Sequence, residues 1–429
     1  MRLRSENCSI RQHMLDGMTG LELESHRIDK EGRLARTPHP FAGDPYIDRD
    51  FSEDQIEINT PPKKETAEAL GFLRDQLSIV HRSLQAQGEL LWPFSNPPVI
   101  GSEEDIPIAR YDGDLAPSYH YRLYLAERYG KYKMTYSGIH FNYSFDEDLL
   151  RANRQIELGA GDVEEMSFDE YRDQFYLRLA EKALCYSWAV VSLLAASPLA
   201  DNSFYETGKS GQTIFTGFSS LRCSEYGYWN PFLPILSYGT VDSYADSIEV
   251  YMKQGMLIQA RELYYPVRIK PPGRYTLKGL RELGINHIEL RQIDLNPLVE
   301  EGLDLRDAEF LKLLLVWLAS KEMEPLSMQD QMQALQNHKT AAAYDWDLAR
   351  IALPGQKAAA LRQYLNELLE EMDDFFGGMS QAEQIIAYQK KKLQAEENRY
   401  ACRVREIYAD DYIGSGIRRA QQIQEAFYV

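Results

Sequence analysis

Only four cysteines occur in the 429 residues, Cys8, Cys185, Cys223 and Cys402, and no two of them form a CxxC pair. They are too sparse for a disulfide framework and are expected to be reduced, which places the chain in the cytoplasm. Positive charge is also in short supply: 47 lysines and arginines against 65 aspartates and glutamates give a formal net charge of -18. Such a surface repels a nucleic-acid backbone, which is excluded as a partner. Long hydrophobic runs are absent as well. The longest, FLKLLLVWLA from Phe310 to Ala319, carries Lys312 and falls short of the roughly 20 residues that a bilayer demands. It reads as a buried core helix, and no membrane partner is expected. The opening MRLRSENCSIRQHML has charge but no apolar core, so no signal peptide is expected. TGKSGQT lacks the glycine that a phosphate-binding loop needs five positions before Gly208, where Ser203 stands. It reads as a solvated loop. No internal repeat and no low-complexity linker interrupts the chain.

What is present is ample core material, 44% hydrophobic residues, in a chain longer than the usual single core of roughly 100–200 residues. Short alternating segments occupy residues 20 to 60: GLELESHRID, a turn at KEGR, RLART, and DQIEINTPP stopped by its prolines. Residues 64 to 88 space their apolar positions at three and four, as an amphipathic helix does. Alternation returns in SGIHFNYSF and INHIELRQIDL, with one helix expected through YRDQFYLRLAEKALCYSWAVVSLLAAS between them. After Asp304 the pattern is almost wholly helical. The expected fold is α+β: an antiparallel sheet body over residues 1–304, and a C-terminal helical region, 305–429, packed on it.

Successive residues of a strand face opposite sides, which makes the alternating segments chemically informative. In INHIELRQIDLNP, His287, Glu289 and Arg291 share one face, opposed by Ile288 and Leu290. Glu22 and Glu24 oppose Leu21 and Leu23; Glu57 and Asn59 oppose Ile56 and Ile58; His140, Asn142 and Ser144 oppose Ile139, Phe141 and Tyr143. If the apolar sides pack on helices, the polar sides converge. Converging carboxylates resist ionising unless a cation joins them, and oxygen ligands with one imidazole suit Mg2+ or Mn2+ better than zinc. Magnesium is usually held by a few protein groups plus substrate phosphates, which points to ATP. The plain alternative is a half-exposed sheet whose charged face meets water.

Six stretches, GLELESHRIDKEGRLART, RDFSEDQIEINTP, RYGKYKMTYSGIHFNYSF, SLRCSEYGYWN, ELYYPVRIKP and HIELRQIDLNP, resemble in order the successive motifs of bacterial glutamate–cysteine ligase. The resemblance runs from about residue 17 to 320, with a weaker echo at YIGSG near the C-terminus. It implies a fold related to glutamine synthetase, a curved antiparallel sheet forming a funnel that holds metal ions, ATP and amino acids. The implied reaction phosphorylates the side-chain carboxylate of glutamate; the amine of cysteine then displaces phosphate from the acyl phosphate.

The family's metal ligands carry over onto Glu22, Glu24, Asp50, Glu57, His140 and Glu289. Arg291, on the face of Glu289, is the expected contact to the transferring phosphoryl group, whose chemistry asks chiefly for positioning and charge cancellation. The resemblance assigns Arg222 to a substrate carboxylate, which its planar fork suits. Arg122, Arg268 and Lys270 are candidate ATP phosphate contacts, equally compatible with surface ion pairs. Phe51, Tyr121, Tyr228 and Tyr264 match the aromatic positions that surround the cysteine side chain in the family. Departures are Ser25 and His26, with His26 either an extra polar contact in the site or, the favoured expectation, the start of the strand's exit to solvent, and the bulky Trp229 beside Tyr228. Nothing after residue 304 resembles the ATP-grasp domain fused to some members, so the dipeptide is the expected product. A ligase of the same fold using another small amine, and a binding protein without turnover, are the alternatives. Oligomeric state is not legible.

Overall fold

The computed structural model describes residues 1–111, 116–162, 166–205 and 208–428. Its centre is one antiparallel sheet. Five strands in its first part are β1 (Gly17–Ile28), β2 (Ile47–Arg49), β3 (Gln55–Asn59), β4 (Leu90–Leu91) and β5 (Ile139–Phe145). A separate small pair follows, β6 (Leu199–Asp201) and β7 (Thr213–Phe215), and then β8 (Val267–Lys270) and β9 (His287–Ile293) complete the sheet. Its order is β2-β3-β1-β5-β9-β8, with β4 paired to the end of β1.

Register decides which side chains meet. Glu24 lies opposite Glu57 and Glu22 opposite Asn59 across β1 and β3. On the other side of β1, Glu22 faces His140. Asn142 then faces Glu289, and Glu289 faces Arg268. Because facing residues of an antiparallel pair point to the same side, one face of the sheet gathers the polar set. The opposite face is apolar: Leu21, Leu23, Ile56, Ile58, Ile139, Phe141, Ile269, Ile288 and Leu290 are all buried in one core.

Helices cover that apolar face. The helix Thr66–Gln87 lays Ala69, Leu73, Leu77, Val80 and Leu84 on it and stops at Gly88, whose positive φ of 74° returns its N–H to Gln85 and Leu84. The helix expected over 171–197 is two, Phe168–Cys185 and Ser187–Leu194, broken at Tyr186 (φ -103°, ψ 9°). The apolar run there is buried on all sides, so periodicity carries no sign of the break. Helix Leu305–Ser320 is buried from Phe310 to Ser320, as its composition foretold. The later helices Met328–Ala341, Leu361–Phe375 and Ser380–Gln394 contribute to the same core. The last two, Tyr400–Tyr408 and Tyr412–Ala426, pack Val404, Tyr408 and Tyr412 on Trp92 and Phe94 near β4. Gly416 of YIGSG permits that contact, since a Cβ there would stand 2.3 Å from the Trp92 ring.

His26 departs from expectation. It does not lead to solvent but is fully buried, its Nδ1 2.5 Å from Asp54 Oδ2 and its Nε2 2.8 Å from the Thr135 carbonyl. Past Glu24, the polar face of β1 is roofed by these segments. Of the TGKSGQT stretch, Thr207 lies outside the described residues, Gly208–Gln212 is exposed or half-exposed loop, and Thr213 begins β7. All four cysteines are free. Among the described residues no helix is long and apolar enough to cross a membrane.

Candidate active site

The polar face of the sheet forms the floor of a cavity of about 450 Å³. Every site residue expected from the sequence lines it: the six candidate ligands, the arginines 122, 222, 268 and 291, Lys270, and the aromatics Phe51, Tyr121, Tyr228 and Tyr264. His287, which shares a strand face with Glu289 in the sequence, is not among the lining residues; its Nδ1 lies 2.9 Å from Asn286 Oδ1.

His140 is the hub of the acidic set. Its Nδ1 is 2.9 Å from Glu22 Oε2 and 3.7 Å from Glu289 Oε1, and its Nε2 is 3.7 Å from Glu24 Oε1. Donor atoms of Glu22, His140 and Glu289 fall within 4.8 Å of one another, close enough to share an ion. Cations guard one side of this group. Lys270 Nζ is 3.1 Å from Glu22 and 3.3 Å from Glu289, while Arg291 Nη1 donates to Glu289 Oε2 at 3.0 Å and Arg268 stands 3.7 Å away.

The carboxyls divide accordingly. Burial and Glu289 push Glu22 up, but the His140 hydrogen bond and the Lys270 charge prevail and hold it at about 2. Burial of Glu289 is likewise overcome by Arg291, Lys270 and Arg268, which keep it well below the usual carboxylate range. Glu24 is pushed well above that range by burial, Asp50 and Glu57, and Glu57 to about 8 by burial, Asp50 and Glu22. Like charges crowded this way fit a divalent cation, which would relieve the repulsion. Oxygen donors with one imidazole match Mg2+ or Mn2+.

The remaining cations are braced from behind. Arg222 donates to the carbonyls of Arg291 (2.8 Å) and Ile293 (3.4 Å), lying so close to Gly138 that a Cβ there would stand 2.5 Å from its guanidinium carbon. Its turn is tied down by buried Asp294, which accepts from Ser220 Oγ at 3.0 Å and Ser197 Oγ at 2.7 Å. Arg122 donates to the carbonyls of Asp50, Arg49 and Ser118, fixing the turn that carries Asp50. The Arg268 guanidinium also donates to the Leu263 carbonyl at 3.1 Å and lies 4.9 Å from the Tyr275 ring centre.

At the other end the four aromatics belong to one cluster, with the Tyr228 and Tyr264 ring centres 3.8 Å apart. Trp229 joins the wall, its edge against His338, which also lines the cavity. Sequence reasoning missed His338, Arg261, Arg274, Tyr265 and Tyr275. Their proximity to ELYYPVRIKP could have flagged all but His338, which arrives from a distant helix.

A family model for glutamate–cysteine ligase matches residues 5–256 and again 233–341. The chain belongs to the glutamate–cysteine ligase family. It is 33% identical, over 98% of its own length and 56% of the relative's, to the glutathione biosynthesis bifunctional protein GshAB of Listeria monocytogenes. It thus spans about half the length of the curated relatives it matches. A bifunctional glutathione synthetase from Pasteurella multocida superposes with a TM-score of 0.82 at 27% identity, covering 99% of this chain and 54% of that one. The glutamate–cysteine ligase of Francisella tularensis, solved with AMP, has the same fold: TM-score 0.84 at 21% identity, covering 96% and 89%. In family context, the cavity on the polar face of the sheet is the candidate active site.

Proposed function

We propose that the chain joins L-glutamate to the amine of L-cysteine at the expense of ATP, through γ-glutamyl phosphate. The products are γ-glutamylcysteine, ADP and phosphate, and the reaction opens glutathione biosynthesis in the cytoplasm. The observation that carries this reading is the convergence of Glu22, Glu24, Asp50, Glu57, His140 and Glu289 on one cavity that also holds Arg291, Lys270 and Arg268.

A carboxylate is a poor electrophile because its leaving group would be oxide, whereas an acyl phosphate releases phosphate. Glu22, Glu24, Asp50, Glu57, His140 and Glu289 would hold divalent cations, which when bound would supply charge neutralisation to phosphate oxygens of the nucleotide. Arg291, oriented by its 3.0 Å bond to Glu289, presents its outer edge to the transferring phosphoryl group. Lys270 and Arg268, on the neighbouring strand, meet the remaining phosphates, and Arg122 keeps Asp50 in place. Arg222 offers its free donors to a carboxylate of glutamate. Phe51, Tyr121, Tyr228 and Tyr264 enclose the acceptor side chain, where a small polarizable thiol meets ring edges. Residues 1–304 form the catalytic unit and 305–429 the helical region that backs its core.

The test is ADP release by the purified chain with ATP, Mg2+ and glutamate, scanning cysteine and other small amines, with the product identified by mass. Turnover with cysteine giving γ-glutamylcysteine supports the proposal. Turnover only with another amine removes cysteine as acceptor, and no turnover with any amine overturns the ligase reading.

A further inference from the structure

Most cations in the cavity wall already have partners. Arg291, Lys270 and Arg268 lie against Glu289, and Arg222 and Arg122 donate to backbone carbonyls. Arg261 differs. Its side chain makes no hydrogen bond or ion pair among the described residues, and its Nε is buried without a partner. The guanidinium carbon rests 4.1 Å from the centre of the Tyr121 ring. Its electrostatic neighbours include Arg122 and Arg274, which repel it, and Tyr121 and Asp50, which attract it from beyond ion-pair distance. Arg274, exposed, lines the same cavity.

The position of Arg261 is built rather than incidental. It sits in the short 3-10 turn Ala260–Glu262, whose buried Glu262 accepts from Tyr129 Oη at 2.8 Å and from the Ile258 N–H at 2.6 Å. A half-buried guanidinium stacked on a tyrosine, with no carboxylate at ion-pair distance among the described residues, is costly unless an anion completes it. The other cations beside the aromatic cluster are engaged: Arg128 pairs with Glu262 at 3.3 Å and donates to Tyr124, and Arg122 donates to backbone carbonyls. An amino acid whose side chain lies among Tyr121, Tyr228 and Tyr264 brings a carboxylate, and Arg261, stacked on Tyr121 with its donors unused among the described residues, stands beside it.

We propose that Arg261, supported by Arg274 at the rim, binds the α-carboxylate of the acceptor, making the site selective for an amino acid over a bare amine. The inference rests on the ligase reading above. With the carboxylate held toward the rim, the amine is left pointing inward, toward the acidic half where the acyl phosphate forms. A planar fork suits a carboxylate bidentately, as a point charge does not.

The experiment compares cysteine with cysteine amide as acceptors for the wild type, Arg261→Met and Arg261→Lys, each with MgATP and glutamate. The wild type is expected to favour cysteine. In Arg261→Met the ratio of kcat/KM for cysteine to that for the amide falls by roughly 10- to 100-fold, the size of a lost charge-assisted hydrogen-bond pair. Arg261→Lys, which keeps charge and stem, loses part of the ratio and covers the case in which the Met variant does not fold. A ratio unchanged in both variants overturns the assignment. So does a raised KM for ATP with the ratio intact, which makes Arg261 a phosphate contact. Equilibrium binding of the two acceptors needs no turnover and reads the same ratio. A chain that ligates neither amine thus refutes the ligase reading while binding still decides the role of Arg261.

Discussion

Replacing Glu289 by glutamine isolates one charge at the centre of the site. The side chain is 1% exposed and is contacted by Arg291 at 3.0 Å, Lys270 at 3.3 Å and Arg268 and His140 at 3.7 Å. Arg291, Lys270 and Arg268 hold the carboxyl well below the usual carboxylate range, so the substitution removes a negative charge and leaves shape nearly intact. Loss of a charge that helps hold a divalent cation against phosphate is expected to lower kcat/KM by roughly 1,000-fold or more, about 4 kcal/mol of transition-state stabilisation. Stability should move far less. Arg291 and Lys270 retain 20% and 17% side-chain exposure, so water screens the uncompensated cations and the loss is about 1–3 kcal/mol. The assay pairs ADP release against a Mg2+ titration with a urea melt of the same preparation. Near-normal turnover with an unchanged Mg2+ requirement would refute the placement of Glu289 in the ion site. Collapse of the fold, with a melt shifted far beyond that range, would show a structural role in place of a chemical one.

Arg291→Lys keeps the charge but loses the fork, and kcat should fall roughly 100-fold; an altered KM for glutamate with kcat unchanged reassigns Arg291 to substrate binding. Cys223→Ala should leave kcat close to wild type although Cys223 lines the cavity, because burial pushes its thiol up to about 12 and its Sγ faces the Gln292 carbonyl at 3.4 Å; complete loss of activity in a folded variant contradicts this. Mg2+ without substrates should raise the melting temperature by relieving the carboxyl repulsion, with EDTA reversing it and Glu57→Gln weakening it; a melting temperature indifferent to Mg2+ argues against the ion site. Burial holds His81 at about 4 and His338 at about 3, so both bind protons only on unfolding. At these two sites the unfolded chain binds more protons below about pH 6.5, so their contribution to stability falls as pH drops from there toward 4, whereas Glu57, held up at about 8, works the other way and costs stability as pH rises toward 8. Urea midpoints should show less of this slope in His81→Leu, and an identical slope would refute the role of His81.

The sheet was legible because its strands use both faces. A leucine or isoleucine at every second position names the core side, and the residues between them name the cavity side. That is why Glu22, Glu24, Glu57, His140 and Glu289 could each be assigned to a polar face from spacing alone, while their convergence waited on how the strands pair. Asp50 could not, because it follows β2 in a turn, and only the resemblance reached it. His26 marks another limit. Alternation tells which side a residue faces but not whether that side is roofed, and Asp54 and Thr135, distant in sequence, supply the roof. The break at Tyr186 was invisible for a related reason: where all faces are buried, hydrophobic periodicity disappears. Arg261 sits in a single 3-10 turn, too short for any period, and His338 reaches the cavity through the packing of a helix against Ser187.

The site's charge is graded across the sheet, and the grading follows from which carboxyls the β8–β9 cations reach. Lys270 and Arg268 come from β8 and Arg291 from the adjacent β9, at one edge. Their reach covers Glu289 on β9 and Glu22 on β1, the two carboxyls held low. Glu24, two residues further along β1 and paired with Glu57 on β3, has no lysine or arginine at ion-pair distance among the described residues, nor has Glu57, and both are pushed up. With strands about 4.8 Å apart, β8 and β3 are separated by roughly 19 Å, so the two ends of one cavity present opposite preferences. A polyanion carrying its own divalent cations would satisfy both at once, its phosphate oxygens meeting Lys270, Arg268 and Arg291 and its metal ions the carboxyls of β1, β3 and Glu289. A metal-free anion satisfies only the first, and a bare cation only the second. The sheet therefore selects the pair together, which is the physical reason for expecting Mg2+ and nucleotide to bind with mutual dependence in this chain.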